Sequence, residues 1–210
     1  MAATPTTARR DARRNRERLV SSARELFASA GVEVPAREIA REAGVGVGTL
    51  YRHFPEREDL VDAVLEDAFE ELIAAAEVGL ADPDSWSGFT GFLEAALLLH
   101  SRNRALKDVI ENRNHGRTRA EAMRRRLRPL IAELVERAQA DGALRQDFAP
   151  QDIALLFWAS DRVIELAGDV APEVWRRQLG FVFDGLRSGA ASPLPQPPLT
   201  DAQLRRVGRG

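Results

Sequence analysis

The sequence predicts an all-α fold. Apolar residues recur at helical spacing through most of the 210 residues, clusters of Gly, Pro and Asp punctuate them, and no alternating strand pattern reaches useful length. The order of these stretches predicts a three-helix head followed by a larger helical region, about nine helices in total. Zero cysteines exclude disulfides and thiolate metal sites, a composition compatible with a reducing cytoplasm. No apolar run, Ala95-Ala96-Leu97-Leu98-Leu99 among them, approaches the roughly 20 residues that span a bilayer.

Residues 1–13 are rich in Ala, Thr and Arg without apolar periodicity, lack the apolar core of a secretory signal, and read as a flexible basic arm. The first helix carries Leu19, Ala23, Leu26, Phe27 and Ala30 on one stripe and closes at Gly31. A short second helix around Ile39 and Ala40 ends at Gly44, which supplies a left-handed residue, and a third over Val47–Phe54 is stopped by Pro55. Glu56, Glu58 and Asp59 then suit the positive end of a fourth helix. Leu60, Val64, Leu65, Ala68, Leu72 and Ile73 extend that helix to about Gly79, roughly 30 Å at 1.5 Å per residue. A fifth helix follows the loop at Asp82-Pro83-Asp84, and a short sixth surrounds Leu106, Val109 and Ile110. The seventh runs from Arg117 to Asp141 with Pro129 expected to bend it; Pro150 opens the eighth, and Pro172 a ninth ending near Gly189. The Pro-rich tail, residues 189–210, has too little apolar surface for a domain.

The second and third helices with their glycine-studded turn form a helix-turn-helix pattern, which makes DNA the first partner to consider. With Leu50 at zero and about 100° per residue, Phe54 and Val47 lie near 40° and 60°, while Gly48, Arg52 and Thr49 fall at roughly 160°, 200° and 260°. One side of the third helix is therefore apolar and the other small and polar, slim enough for a major groove about 12 Å wide. The same pattern also fits a solvated helical hairpin that never meets DNA. Charge placement favours the first reading: six arginines among residues 1–18 oppose only Asp11 and Glu17, in a chain whose net charge is −2. Between Arg57 and Arg102 there is no Lys or Arg, while acids recur from Glu58 to Glu94, so only the N-terminal end is suited to DNA.

The run Ala43-Gly44-Val45, Gly48-Thr49-Leu50-Tyr51-Arg52-His53-Phe54-Pro55 and Arg57-Glu58-Asp59-Leu60 resembles the TetR family of bacterial transcription regulators over residues 14–72. The resemblance implies phosphate contacts from Thr49, Tyr51, His53 and Arg57, base-edge contacts from Val47, Gly48 and Arg52, and a weaker contribution from Arg37. Many members cap the second helix with Thr or Ser; here Val34-Pro35 stands instead, with Pro35 expected at the first helical position and no hydroxyl to offer a phosphate.

Residues 73–188 are expected to bind a ligand and to dimerise. The last two long helices are apolar on more than one side, with Leu155, Phe157, Trp158, Val163, Ile164 and Leu166, then Trp175, Leu179, Phe181, Val182, Phe183 and Leu186. That surplus suits a homodimer meeting through these helices, although the core of a monomer would also absorb it. An unknown small-molecule effector, apolar or aromatic, is expected among Trp86, Phe89, Phe92, Leu97, Met123, Leu127, Phe157 and Trp158, with His100, Asn114 and Asp161 as polar anchors; each of these also fits ordinary core. No catalytic, cofactor or metal site is expected. There is no Gly-rich phosphate loop, and His53, His100 and His115 lack ligand or triad spacing. The resulting expectation is a cytoplasmic, nucleoid-associated homodimeric repressor that occupies a palindromic operator and is released by its effector, with no membrane partner. The alternatives are an activator of the same fold, or a helical ligand-binding or scaffold protein whose DNA-binding head is vestigial.

Overall fold

A computed structural model describes residues 5–102, 119–190 and 192–207. Those residues contain nine α-helices: α1 (Pro5–Ala30), α2 (Ala36–Glu42), α3 (Val47–His53), α4 (Arg57–Ala81), α5 (Ser85–Arg102), α6 (Arg119–Ala140), α7 (Ile153–Ala167), α8 (Val174–Leu186) and α9 (Asp201–Val207). The only β pairing among them is an isolated bridge, so the all-α expectation holds. The expected short helix around Leu106, Val109 and Ile110 lies outside the described residues.

The chain divides into two compact units within α4, the first containing the chain up to Ala68 and the second beginning at Phe69. In the first unit, Leu19, Ala23 and Phe27 of α1 are fully buried, and Ile39, Ala40, Leu50 and Phe54 are nearly so. These are the stripes that helical periodicity marks, and α1 packs against both α2 and α3. Gly31 and Gly44 adopt φ of 78° and 62°, the left-handed geometry that ends α1 and α2. The amides of Gly44 and Val45 close the second helix on the carbonyls of Arg41 and Ala40.

Two expectations in this unit need correction. The first helix begins at Pro5, so residues 5–13 continue it instead of forming a separate arm. A proline tolerated in the first turn and the Ala- and Arg-rich run after it favour helix even without an apolar stripe. Pro35 is not the first helical residue but the N-cap of α2, at φ −60° and ψ 137°, with no side-chain bond to the helix.

In the second unit, Phe89, Phe92, Leu93, Ala96 and Leu97 of α5 are buried together with Leu134, Val135 and Ala138 of α6. Leu97, Trp175 and Leu179 form a cluster bordered by Phe157, Val163, Ile164 and Phe183. The α5 N-terminus is capped by Asp84, whose Oδ1 accepts the amides of Trp86 at 2.9 Å and Ser87 at 3.2 Å. Those bonds, the Ser87 amide foremost, hold the Asp84 pKa below its ordinary value. Helix α8 stops at Leu186, earlier than expected, because Arg187 turns extended and pairs with Leu144. Backbone bonds from Arg145 to Leu186 and from Ser188 to Ala143 hold that junction. The tail has more structure than its composition indicated: α9 is opened by a reciprocal cap between Thr200 and Gln203. Arg145 binds Asp147 through Nε at 2.5 Å and also donates to the carbonyls of Gly185 and Ser192, while the Asp147 carboxylate accepts the Leu194 amide at 3.0 Å.

Candidate nucleic-acid interface and effector site

Helix α3 is seven residues long and enters the head through one side only. Leu50 is buried to 3 % exposure and Phe54 beyond it to 2 %, whereas Tyr51 is 53 % exposed and Val47 37 %. Gly48 and Arg52 are exposed, with open space where a Gly48 Cβ would stand. The Arg52 guanidinium donates to Thr49 Oγ1 at 3.1 Å, so these two residues form one polar unit on the outward face. His53 is half-buried with its ring tilted 6.5 Å from that of Phe54. Arg37 is exposed on α2.

Arg57 behaves differently from the phosphate ligand the resemblance implies. Its Nε donates to the Val32 carbonyl at 3.0 Å and its Nη2 to the Val34 carbonyl at 2.9 Å, with a second bond to Val32. The Glu33 carboxylate lies 3.8 Å away. The guanidinium thus clamps the α1–α2 loop to the start of α4, and a phosphate contact would have to compete with these bonds. This clamp stands beside the Pro35 cap, where the backbone lacks a side-chain hydroxyl. Two further arginines are committed within the head: Arg16 lies over the Phe54 ring at 5.2 Å, and the Arg18 guanidinium packs where a Gly44 side chain would go. Sequence spacing carries no signal for any of these contacts. Arg10 and Arg14 remain exposed on α1, and Arg13 pairs with Glu17 at 2.8 Å.

The expected effector residues are spread along α5 and onto α6 and α7. Trp86 and Phe89 belong to an aromatic group at the start of α5, where Phe89 meets Phe148 edge-on at 5.6 Å, Trp86 meets Phe183 at 6.3 Å, and Arg187 covers Trp86 at 4.2 Å. At 1.5 Å per residue, Trp86 is about 20 Å along α5 from His100. Phe92 and Leu97 are buried core. Met123 is at the limit of burial with its sulfur 3.4 Å from Arg126 Nη1, and Leu127 and Trp158 are half-buried. Asn114 lies outside the described residues. What the fold does bring together is His100, Asp161 and Phe157. His100 Nε2 is 2.8 Å from Asp161 Oδ2, both side chains are buried, and the Phe157 ring stands edge-on to the imidazole at 4.9 Å. His100 Nδ1 has no hydrogen-bond partner among the described residues. Among the described residues, no group of three or more His, Cys, Asp or Glu is placed to hold a metal ion.

A three-helix head with an exposed, polar α3, continued through α4 into a larger helical unit, defines the class of helix-turn-helix transcription regulators. Residues 19–64 match the family described as bacterial regulatory proteins of the tetR family, and residues 82–188 match the C-terminal domain described as that of SbtR-like transcriptional regulators. The chain belongs to the TetR family. A TetR transcription regulatory protein from Mycobacterium vanbaalenii is 32 % identical, with 86 % of this chain and 99 % of that one covered at a TM-score of 0.50. The TetR regulator SCO0520 of Streptomyces coelicolor is 27 % identical over 83 % of this chain and 99 % of its own, at a TM-score of 0.54. Helix-turn-helix transcriptional regulators of Staphylococcus aureus are 46 % identical over 59 residues, 28 % of this chain. The chain covers about a third, 32 %, of the length of those curated relatives.

Proposed function

We propose that this chain is a homodimeric repressor that binds a palindromic operator and is released by a small-molecule effector. In this reading residues 14–72 form the DNA-binding head and residues 73–188 the ligand-binding and dimerisation domain. The observation that carries it is the outward face of α3, where Gly48, Thr49, Tyr51 and Arg52 are left over once Leu50 and Phe54 have been buried. Val47, Gly48 and Arg52 are left for base edges, and Thr49, which accepts from Arg52, and Tyr51 present hydroxyls to the phosphates. His53, half-buried at the end of α3, and Arg37, exposed on α2, are further phosphate contacts in this reading. The basic α1 lies on the same unit, while the acidic run after Arg57 keeps DNA from the rest of the chain.

Dimerisation is supported by apolar side chains that α7 and α8 leave open: Leu155 is 43 % exposed, Leu166 69 % and Phe181 65 %. A two-fold pairing of these helices would let two α3 helices reach successive major grooves roughly 34–36 Å apart. Effector binding then favours a conformer in which α4 has shifted, so that the half-site spacing no longer fits. No described helix is long and apolar enough to cross a membrane.

Selection of genome fragments by the purified chain at near-physiological salt tests the reading. One recovered palindromic motif is the expected result, and its neighbouring genes then indicate the effector. Recovery of random, salt-labile DNA alone would favour a helical ligand-binding protein with a vestigial head.

A further inference from the structure

Among the described residues, His100 is the buried polar residue whose hydrogen bonding is left incomplete. Its side chain is 1 % exposed, Nε2 is taken by Asp161, and Nδ1 is unpartnered within a shell of protein. A carboxylate only accepts, so the Nε2–Asp161 bond requires the ring proton on Nε2. In the neutral ring the lone pair then sits on Nδ1. The acid behind the imidazole fixes that tautomer, as a carboxylate does for a metal-binding or catalytic histidine. Phe157, edge-on at an interplanar angle of 81°, holds the ring plane. Leu97, one turn earlier on α5, packs with Trp175 and Leu179, and Phe157 borders the same group, so the imidazole adjoins an apolar cluster.

Building on the effector-binding reading above, we propose that His100 Nδ1 accepts a hydrogen bond from a hydroxyl group of the effector, which makes the effector a neutral hydroxylated aromatic compound. A hydrocarbon would leave the buried acceptor unpaired, and buried polar atoms are almost always paired. A carboxylate would face a lone pair backed by Asp161. A phenolic hydroxyl supplies a stronger donor than an aliphatic one, on an aromatic body chemically matched to the Phe157, Leu97 and Trp175 side chains near the imidazole. Asp161 is a positioning residue in this arrangement, because it acts only through the imidazole.

The test uses the full chain labelled with nitrogen-15 and titrated with phenol and, separately, with its methyl ether anisole, which has nearly the same shape but no donor. The ring nitrogens of His53, His100 and His115 are followed by long-range proton–nitrogen correlation. The expected result is a phenol-dependent shift of His100 Nδ1, absent with anisole, and about tenfold tighter binding of phenol, the worth of one hydrogen bond. In His100→Gln the amide nitrogen can still donate to Asp161, and the acceptor that remains, Oε1, sits one carbon farther along the side chain than Nδ1 and out of its place, so the preference for phenol disappears; a melting transition checks that the variant folds. Equal affinity for the two probes, an unmoved Nδ1 at saturating phenol, or a preference that survives in a folded His100→Gln each overturns the assignment. The effector reading is tested apart from it. Operator release by the ether as readily as by phenol sinks the His100 role alone, while operator affinity unchanged by every bound compound sinks effector release itself.

Discussion

At Arg57 three hydrogen bonds reach the carbonyls of Val32 and Val34, residues more than twenty positions earlier in the chain. Arg57→Ala is expected to destabilise the head by about 2 kcal/mol in denaturant unfolding and to weaken binding to every duplex, with the salt dependence of binding unchanged. A slope reduced by about one would restore Arg57 to the phosphates. On α3 the expected outcomes separate by role. Tyr51→Ala weakens all duplexes alike, whereas substitution of Arg52 changes which bases are preferred in a selection experiment; an unchanged preference would confine Arg52 to the backbone. Asp147 provides a pH signature: the Arg145 guanidinium first, and the Leu194 amide next, hold its pKa down to about 2. A carboxylate lowered in the folded state stabilises above its unfolded value near 3.9 and loses that contribution as pH falls toward 2. The melting-temperature gap between wild type and Asp147→Asn should therefore be widest above about pH 4 and close toward pH 2. Partial exposure of Asp147 makes the gap small and salt-sensitive.

Among the helices, the junction of α4 and α5 is set by two glycines. A Cβ on Gly88 would stand 2.1 Å from the Gly79 carbonyl oxygen, and one on Gly79 2.6 Å from that of Gly88. Both neighbours are backbone, so neither can move aside without shifting its helix. Gly88→Ala is expected to cost about 1–3 kcal/mol, the usual penalty for overpacking. Gly91, one turn further along α5, has open space where its Cβ would be, and Gly91→Ala is expected to stabilise by about 0.4–1 kcal/mol. Thermal unfolding of the pair decides: two substitutions of the same kind on one helix with opposite signs support the close crossing, and matching signs refute it. The caps at this scale were largely legible. Gly31 and Gly44 end their helices as expected, because a helix terminus is settled by residues within one turn. Pro35 was misplaced by one position, and α8 ended early because Leu144, some forty residues away, pairs with Arg187.

For the molecule as a whole, the exposed Phe181 on α8 is the sharpest probe of assembly. Phe181→Asp is expected to convert a dimer to a monomer in sedimentation at micromolar concentration and to abolish the requirement for two correctly spaced half-sites. A variant that remains dimeric would move the seam away from this part of α8. The amino-acid order by itself determined the helical class, the stripes that face inward, the left-handed caps and the polar set on α3, since each depends on residues within about four positions of one another. The family resemblance rested on that same local run. Only the tertiary structure decided that Arg57 clamps a loop, that Phe89 meets Phe148 and Trp86 meets Phe183, and that His100 meets Asp161, 61 positions away. Partners so far apart in sequence are selected by which helix faces pack together, and periodicity gives the face of each helix without naming the neighbour it meets.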